Sequence, residues 1–390
     1  MSDRVLRLGL AGLGAGARNI LSGVTSHKGF RVAAGADVRE QATQRFAEEF
    51  GAKPFPSLEA MCDSSDIDAV WIVTPNQHHA RHAVYAADHG KHVVVSKPMA
   101  VTLDECKAMI AAAAANGVQL VAGHTQSMLP GARGLAELAR SGKYGRVGMV
   151  QSWNFTPWVY RPRMPEELDE RTGGGVVFRQ APHHIDIVRL IGGGMVRSVR
   201  AMTLKMDPER PVSGAFTAYL EFEDGTPATI VYNGYGHFDA DELNSGERNS
   251  RRASQAAPVL SRSASREQQA ELKESIRYGS AATAGRTAPD QGLAPFGYTL
   301  VSCELADLRQ SNEGVVVYGE GGKVEEIALA KGEHRGWAEL DELYQAVTTG
   351  KPVTHDGRWG LATQEVAVAI LESARTRQEV RMQHQVPVPA

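Results

Sequence analysis

Between residues 7 and 122, short apolar runs alternate with longer stretches of helical spacing. The runs are Arg7–Ala11, Arg31–Ala36, Ala69–Val73, His92–Val95 and Gln119–Ala122. Apolar residues at successive positions predict strands covered on both faces. Ala17–Ser26, Arg39–Phe50, His79–His89 and Leu103–Asn116 read as the helices between them. Such strands joined by helices form a parallel, doubly wound sheet. An α/β N-terminal Rossmann domain is therefore expected over residues 1–124.

The pattern then changes. Val147–Phe155, Val196–Leu204, Gly214–Phe222, Ala228–Tyr232 and Val315–Tyr318 read as strands, with Glu223-Asp224-Gly225 as a turn between two of them. Helices are expected at His183–Ile191, Trp337–Thr348 and Leu361–Arg377. Long strands with few helices between them predict an α+β C-terminal domain, residues 125–390, with a mostly antiparallel sheet. Residues 239–295 are rich in Ser, Ala, Arg and Gln and read as an irregular excursion, helical around Arg266–Arg277. Its arginines (Arg248, Arg251, Arg252, Arg262 and Arg266) are mixed with glutamates, so a solvated surface is expected there rather than an anion patch.

Composition narrows the classes. The chain has 390 residues and a formal net charge of −3, so no global field draws it to nucleic acid or to acidic membranes. Cys62, Cys106 and Cys303 are far apart and form no CxxC pair, which predicts neither a disulfide framework nor a zinc knuckle. The start, MSDRVLRLGLAGLG, lacks the features of a signal peptide. Ala108–Leu129 carries no charge, but Asn116, Gly117, Gln119, His124, Thr125 and Gln126 interrupt it, so it is not read as a membrane span. A cytoplasmic protein with no membrane or nucleic-acid partner is expected.

Candidate chemistry begins at Gly12-Leu13-Gly14-Ala15-Gly16-Ala17, between a strand and a helix. That is the context of the dinucleotide fingerprint: a tight turn, a close approach for the pyrophosphate and a small third residue for helix packing. Asp37 stands ~20 residues further on, where an acid binds the adenosine ribose. With Val38 and Arg39 it completes the expected cofactor lip, and it predicts NAD; Arg39 leaves NADP open. Two further loops, Thr74-Pro75-Asn76-Gln77-His78-His79 and the segment ending Ser96-Lys97-Pro98, follow predicted strands. Ligands bind outside the carboxyl ends of such strands.

In the second half, His183, His184 and Asp186 lie at a helix start, with spacing that suits no metal. Trp153, Trp158, Tyr160, Arg161, Arg163 and Arg179 form a basic and aromatic cluster. A guanidinium fork matches a carboxylate, so a flat or cyclic carboxylated substrate is expected, with Arg179 holding the carboxylate. The competing expectation is that Arg179 bridges to Asp186 or Glu166.

Taken together these motifs resemble the glucose–fructose oxidoreductase / inositol dehydrogenase (Gfo/Idh/MocA) family. The resemblance runs over nearly the whole chain: the fingerprint, TPNxxH ending at His79, GKHV…KP ending at Pro98, GRVGMVQ at 145–151, the triple glycine at 173–175 and the His183/Asp186 pair. It implies an open, mostly antiparallel C-terminal sheet, homodimers or homotetramers built on that sheet, and NAD(P)-dependent oxidation or reduction of a carbinol. It implies Lys97 at the nicotinamide and His183 as general acid or base. Thr74, Pro75, Asn76, His79, Ser96 and Lys97 would then line the cofactor. His124, Gln126, Trp158, Tyr160, Arg161, Arg179, His183, His184 and His237 would face substrate. Two positions depart from the family: Ser96 replaces the usual glutamate, and Arg179 replaces an aspartate that contacts polyol hydroxyls. RTGGGVVFRQAPHHIDIVRLIGGG, VYNGYGHF and LVSCE are most similar to the phthalate dihydrodiol dehydrogenase branch, which oxidises a cis-4,5-dihydrodiol of phthalate to the dihydroxyphthalate in aromatic catabolism. A sugar-acid or cyclitol dehydrogenase and a non-catalytic NAD(P)-sensing regulator are the alternatives.

Overall fold

The computed structural model describes residues 4–238, 240, 242–245, 265–278, 280, 295–330 and 334–389. Arg248, Arg251, Arg252 and Arg262 of the expected excursion lie outside the described residues. The chain divides into two compact units. The first holds residues 1–125, 270–290 and 333–361, and the second holds 126–269, 291–332 and 362–390. A single cut after residue 124 differs from this division, because two later segments return to the first unit.

The first unit is built on β1 (Leu6–Ala11), β2 (Phe30–Ala36), β3 (Lys53–Phe55), β4 (Ala69–Ile72), β5 (His92–Ser96) and β6 (Leu120–Gly123). All are parallel, in the order β3-β2-β1-β4-β5-β6. Helices α1 (Ala15–Ser26), α2 (Glu40–Phe50), α3 (Leu58–Cys62), α4 (His79–Asp88) and α5 (Leu103–Ala115) connect them. Every residue of β4 and β6 is buried, as expected of strands covered on both faces. A capping box at Thr102 and Glu105 starts α5.

In the second unit, α6 (Pro130–Arg140) leads to β7 (Val147–Phe155), α7 (Gly175–Arg179), α8 (Ala181–Ile191), β8 (Val196–Leu204), β9 (Ala215–Phe222) and β10 (Pro227–Asn233). After α9 (Glu242–Ser245), α10 (Arg266–Ser275) is the helix expected within the excursion. Then come β11 (Tyr298–Cys303), β12 (Ala306–Gln310), β13 (Gly314–Gly319), β14 (Val324–Ala328), α11 (Trp337–Thr349), α12 (Gly357–Thr376) and β15 (Val380–Arg381). The open sheet runs β14-β13-β12-β11-β7-β10-β9-β8-β15. Its neighbours are antiparallel except β7 and β10, which are parallel. Alternate residues of β10 are buried, so one face of the sheet is covered.

Helix α11 returns to the first unit because Leu340 and Leu343 are fully buried in the cluster that also holds Leu6, Leu8 and Trp71. Tyr278, just beyond α10, joins the same cluster. Among the described residues no helix is long and apolar enough to cross a membrane.

Candidate active site

The glycine turn of the first unit has the geometry of a cradle. Gly12 has φ +91°, and a Cβ there would lie 2.8 Å from Thr74 N and the Val73 carbonyl. A Cβ on Gly14 would meet nothing within 4 Å, so the turn opens onto space. Helix α1 begins at Ala15 without a side-chain cap and with no acid in its first turn. Its first N–H groups and positive dipole end are left for an anion. Ala17 is fully buried, as helix packing on the sheet requires.

Asp37 follows β2. Its Oδ2 accepts a hydrogen bond from Leu13 N at 2.8 Å, and its Oδ1 accepts from Arg39 N at 2.9 Å and Arg39 Nε at 3.1 Å. Arg39 also donates to the Leu13 carbonyl at 2.7 Å, while Val38 is exposed. An open glycine cradle, a free helix start and a fixed carboxylate at its lip fit a dinucleotide.

The two loops beyond β4 and β5 are tied together by His79. Its Nδ1 lies 2.8 Å from the Pro98 carbonyl and its Nε2 2.8 Å from the Thr74 carbonyl. The ring is 1% exposed, which corrects the expectation of a cofactor contact: His79 positions the loops that carry Thr74 and Lys97. Arg81 Nη2 lies 3.1 Å from His82 Nε2, and a guanidinium only donates. His82 therefore carries its proton on Nδ1 and donates it to Thr74 Oγ1 at 2.9 Å. The Thr74 hydroxyl proton is left to point elsewhere. Pro75 is exposed and Asn76 buried. Ser96, where relatives have glutamate, accepts from Trp71 Nε1 at 3.2 Å, so a buried indole anchors this loop. Lys97 follows, half-buried, with a cis bond to Pro98. His124 is buried beside His355, with ring centres 6.4 Å apart.

In the second unit, every residue of α8 is buried. The two adjacent histidines at its start both pack against Phe296, at 4.7 and 4.9 Å between ring centres, and differ in what else they meet. His183, 7% exposed, packs edge-on against Phe296 at 4.7 Å. His184 is fully buried and meets the sheet: its Nδ1 lies 2.7 Å from Ser152 Oγ on β7, and its ring lies 6.0 Å from Tyr232 on β10. The expectation that His184 faces substrate is corrected: it is a core residue joining α8 to the sheet. Asp186 is also fully buried, accepting from Ser127 Oγ and, at 3.0 Å, from Thr363 Oγ1. It holds α8 in place.

Burial pushes His184 down to about 3 from the ordinary 6.5. The unfolded chain therefore takes up a proton that the folded protein refuses, and stability falls as pH drops from about 6.5 toward 3. His82, pushed down to about 4 chiefly by burial, acts in the same direction. Melting temperature is expected to decline between these pH values, and His184→Phe to flatten part of the decline. An unchanged pH slope in the variant would remove His184 as a source.

The basic cluster centres on one buried carboxylate. Glu167 Oε1 lies 2.8 Å from Arg179 Nη2 and 3.4 Å from Arg163 Nη1, and Glu167 Oε2 accepts from Met164 N at 2.8 Å. Arg179 thus pairs with Glu167, a carboxylate that neither expectation named. Arg163 lies 3.9 Å over the ring of Trp158, which is 1% exposed, and donates to the Trp158 carbonyl. Burial draws the Arg163 guanidinium down to about 10; Glu167 opposes the fall, and Arg179 and Arg161 add to it. Trp158 and Tyr160 are buried supports, with Arg210 stacked 5.2 Å from Tyr160. Gln126 is buried and His237 exposed.

Arg161 differs from its neighbours. Its Nε is buried, and its side chain has no hydrogen-bond or ion-pair partner among the described residues. Arg163 and Arg179 share Glu167, whereas the Arg161 guanidinium has no carboxylate partner among the described residues. Sequence reasoning missed Glu167, Phe296, Ser127 and Thr363. The only local cue was the four-residue spacing of Arg163 and Glu167.

Residues 6–124 match the oxidoreductase family with an NAD-binding Rossmann fold, and residues 132–243 match the Gfo/Idh/MocA C-terminal domain. The chain is 33% identical over 379 residues, 95% of each chain, to the 1-carboxy-3-chloro-3,4-dihydroxycyclohexa-1,5-diene dehydrogenase of Comamonas testosteroni. A crystal structure from Bordetella bronchiseptica RB50 superposes with a TM-score of 0.86 at 37% identity, covering 97% of this chain and 100% of that one. The WlbA dehydrogenase of Bordetella pertussis, solved with NADH and UDP-GlcNAcA, shares the fold at a TM-score of 0.69 and 22% identity, over 97% and 99% of the two chains. With its glycine cradle, its lip carboxylate and its mostly antiparallel second sheet, the chain belongs to the Gfo/Idh/MocA family of NAD(P)-dependent dehydrogenases.

Proposed function

We propose that this enzyme oxidises a ring carbinol of a carboxylated cyclic cis-dihydrodiol, such as 4,5-dihydro-4,5-dihydroxyphthalate, to the dihydroxyarene. The observation that carries the reading is the Arg161 guanidinium, which has no acceptor among the described residues and is close in sequence to the helix start bearing His183. A partly buried guanidinium without an acceptor is satisfied by a carboxylate. The name of the Comamonas testosteroni relative, a dehydrogenase of a carboxylated dihydroxycyclohexadiene, supports the same class.

When bound, the nicotinamide supplies the hydride acceptor. His183 takes the hydroxyl proton, and the Lys97 ammonium stabilises the developing alkoxide. Gly12, Leu13, Gly14, Ala15, Gly16 and Ala17 cradle the pyrophosphate, and Asp37 receives the ribose hydroxyls. Arg161 holds the ring carboxylate. Glu167 holds Arg163 and Arg179 in the geometry of the cluster. The exposed residues of the open sheet, Met149, Met202 and Tyr219 among them, are the surface through which a homodimer or homotetramer would form.

Purified protein assayed for NAD reduction against carboxylated and uncharged cis-dihydrodiols, cyclitols and sugar acids tests the reading. Turnover confined to carboxylated dihydrodiols is the expected result. Preference for a cyclitol or sugar acid would replace the substrate class, and cofactor binding with no turnover on any member would favour a sensor.

A further inference from the structure

Arg39 presents a problem of cofactor choice. An arginine just beyond the second strand commonly recruits the 2′-phosphate of NADP. Here two carboxylates flank it. Asp37 is local, 3.1 Å from Arg39 Nε. Glu274, from α10 and 235 residues away in sequence, lies 3.3 Å from Arg39 Nη1.

Glu274 belongs to a segment that is fixed to the first unit at several points. Tyr278 OH donates to Glu49 Oε2 at 2.6 Å, and its ring packs edge-on against Phe46 at 5.7 Å. Arg277 pairs with Glu274 at 2.7 Å. Arg18, in the first turn of α1, donates through Nη1 to the Ile276 carbonyl at 3.3 Å. The same short segment thus engages both cations beside the dinucleotide lip: Arg18 through a backbone carbonyl and Arg39 through a carboxylate.

We infer that Glu274 is a specificity-determining residue that enforces preference for NAD over NADP. It neutralises Arg39 from the side opposite Asp37 and adds a negative charge where a 2′-phosphate would have to approach. The inference rests on the family's dinucleotide site and is independent of the substrate assigned above. It also explains how one chain keeps an arginine at this position without using it for NADP. Arg39 is thereby paired by two carboxylates, Asp37 and Glu274, so its charge is not left for a phosphate.

The test is direct titration of NAD and NADP by calorimetry, alongside kcat/KM for each, in wild type, Glu274→Gln, Arg39→Gln and the double variant. Wild type is expected to prefer NAD. Glu274 is half-exposed and its pairing is screened, so Glu274→Gln is expected to tighten NADP binding by about three- to tenfold, with NAD binding little changed. The gain should shrink at high salt. It should vanish in the double variant, because Arg39 is the group released. A constant NADP-to-NAD ratio in Glu274→Gln, or a gain that survives loss of Arg39, would overturn the inference. Because binding is read directly, failure to find the right carbinol substrate leaves the test intact.

Discussion

Replacing His183 with Asn is expected to lower kcat by ~10²–10⁴, the range for loss of a positioned proton acceptor. Lys97→Met is expected to fall in the same range, through loss of the charge that stabilises the alkoxide. The amide of Asn keeps most of the imidazole's volume beside Phe296, so packing in α8 is largely retained. Lys97 lies on a loop fixed independently by His79 and by the Trp71–Ser96 hydrogen bond, so its loss should leave the loop in place. Turnover, NAD titration and circular dichroism on both variants separate chemistry from folding. The double variant should be barely slower than the worse single one, since both groups serve one step. Near-normal kcat in both single variants would remove these residues from the mechanism.

Arg161→Gln is expected to raise KM for a carboxylated dihydrodiol by tens to thousands of fold, because losing one partner of a desolvated charge pair costs ~2–5 kcal/mol. The effect should be absent for an uncharged dihydrodiol of the same ring. Arg161→Lys should recover only part, since a point charge lacks the planar fork. Arg179→Gln is expected to behave differently. It removes a partner of the buried Glu167, so melting temperature should fall together with a smaller rise in KM. Kinetics on the matched substrates, with melting curves for each variant, distinguish the two arginines. Equal KM changes for charged and uncharged rings in Arg161→Gln would dismiss the carboxylate anchor, and the proposed substrate class would lose its physical basis.

Much of this protein was legible along the chain. Strands β1, β2, β4 and β5 stood out because a strand buried on both faces is apolar at successive positions. The cofactor cradle was legible because it is contiguous: Gly12 to Ala17 form one turn, and the acid at Asp37 follows at a fixed interval. Strands β7 and β8 were read at their observed limits, Val147–Phe155 and Val196–Leu204. The short strand Lys53–Phe55 and the strands β11, β12 and β14 were missed. Lys53–Phe55 and the equally unread β15 are too short to show a period, and β14 buries none of its residues, so no apolar pattern marks it.

Tertiary structure alone decided the rest. His183 and His184 are adjacent in a helix buried on all sides, so no amphipathic pattern marks which faces the sheet; Ser152 and Tyr232 decide that. The arginines of the basic cluster were visible, but which of them is matched depends on where Glu167 folds back, and that leaves Arg161 rather than Arg179 without an acceptor. The charge state of the cofactor lip depends on Glu274, and no local pattern connects it to Arg39 across 235 residues. Periodicity reports how a segment meets its own surroundings. Pairing between distant charges is set by the packing that brings them together, here by Tyr278 seated among the apolar side chains of the first unit.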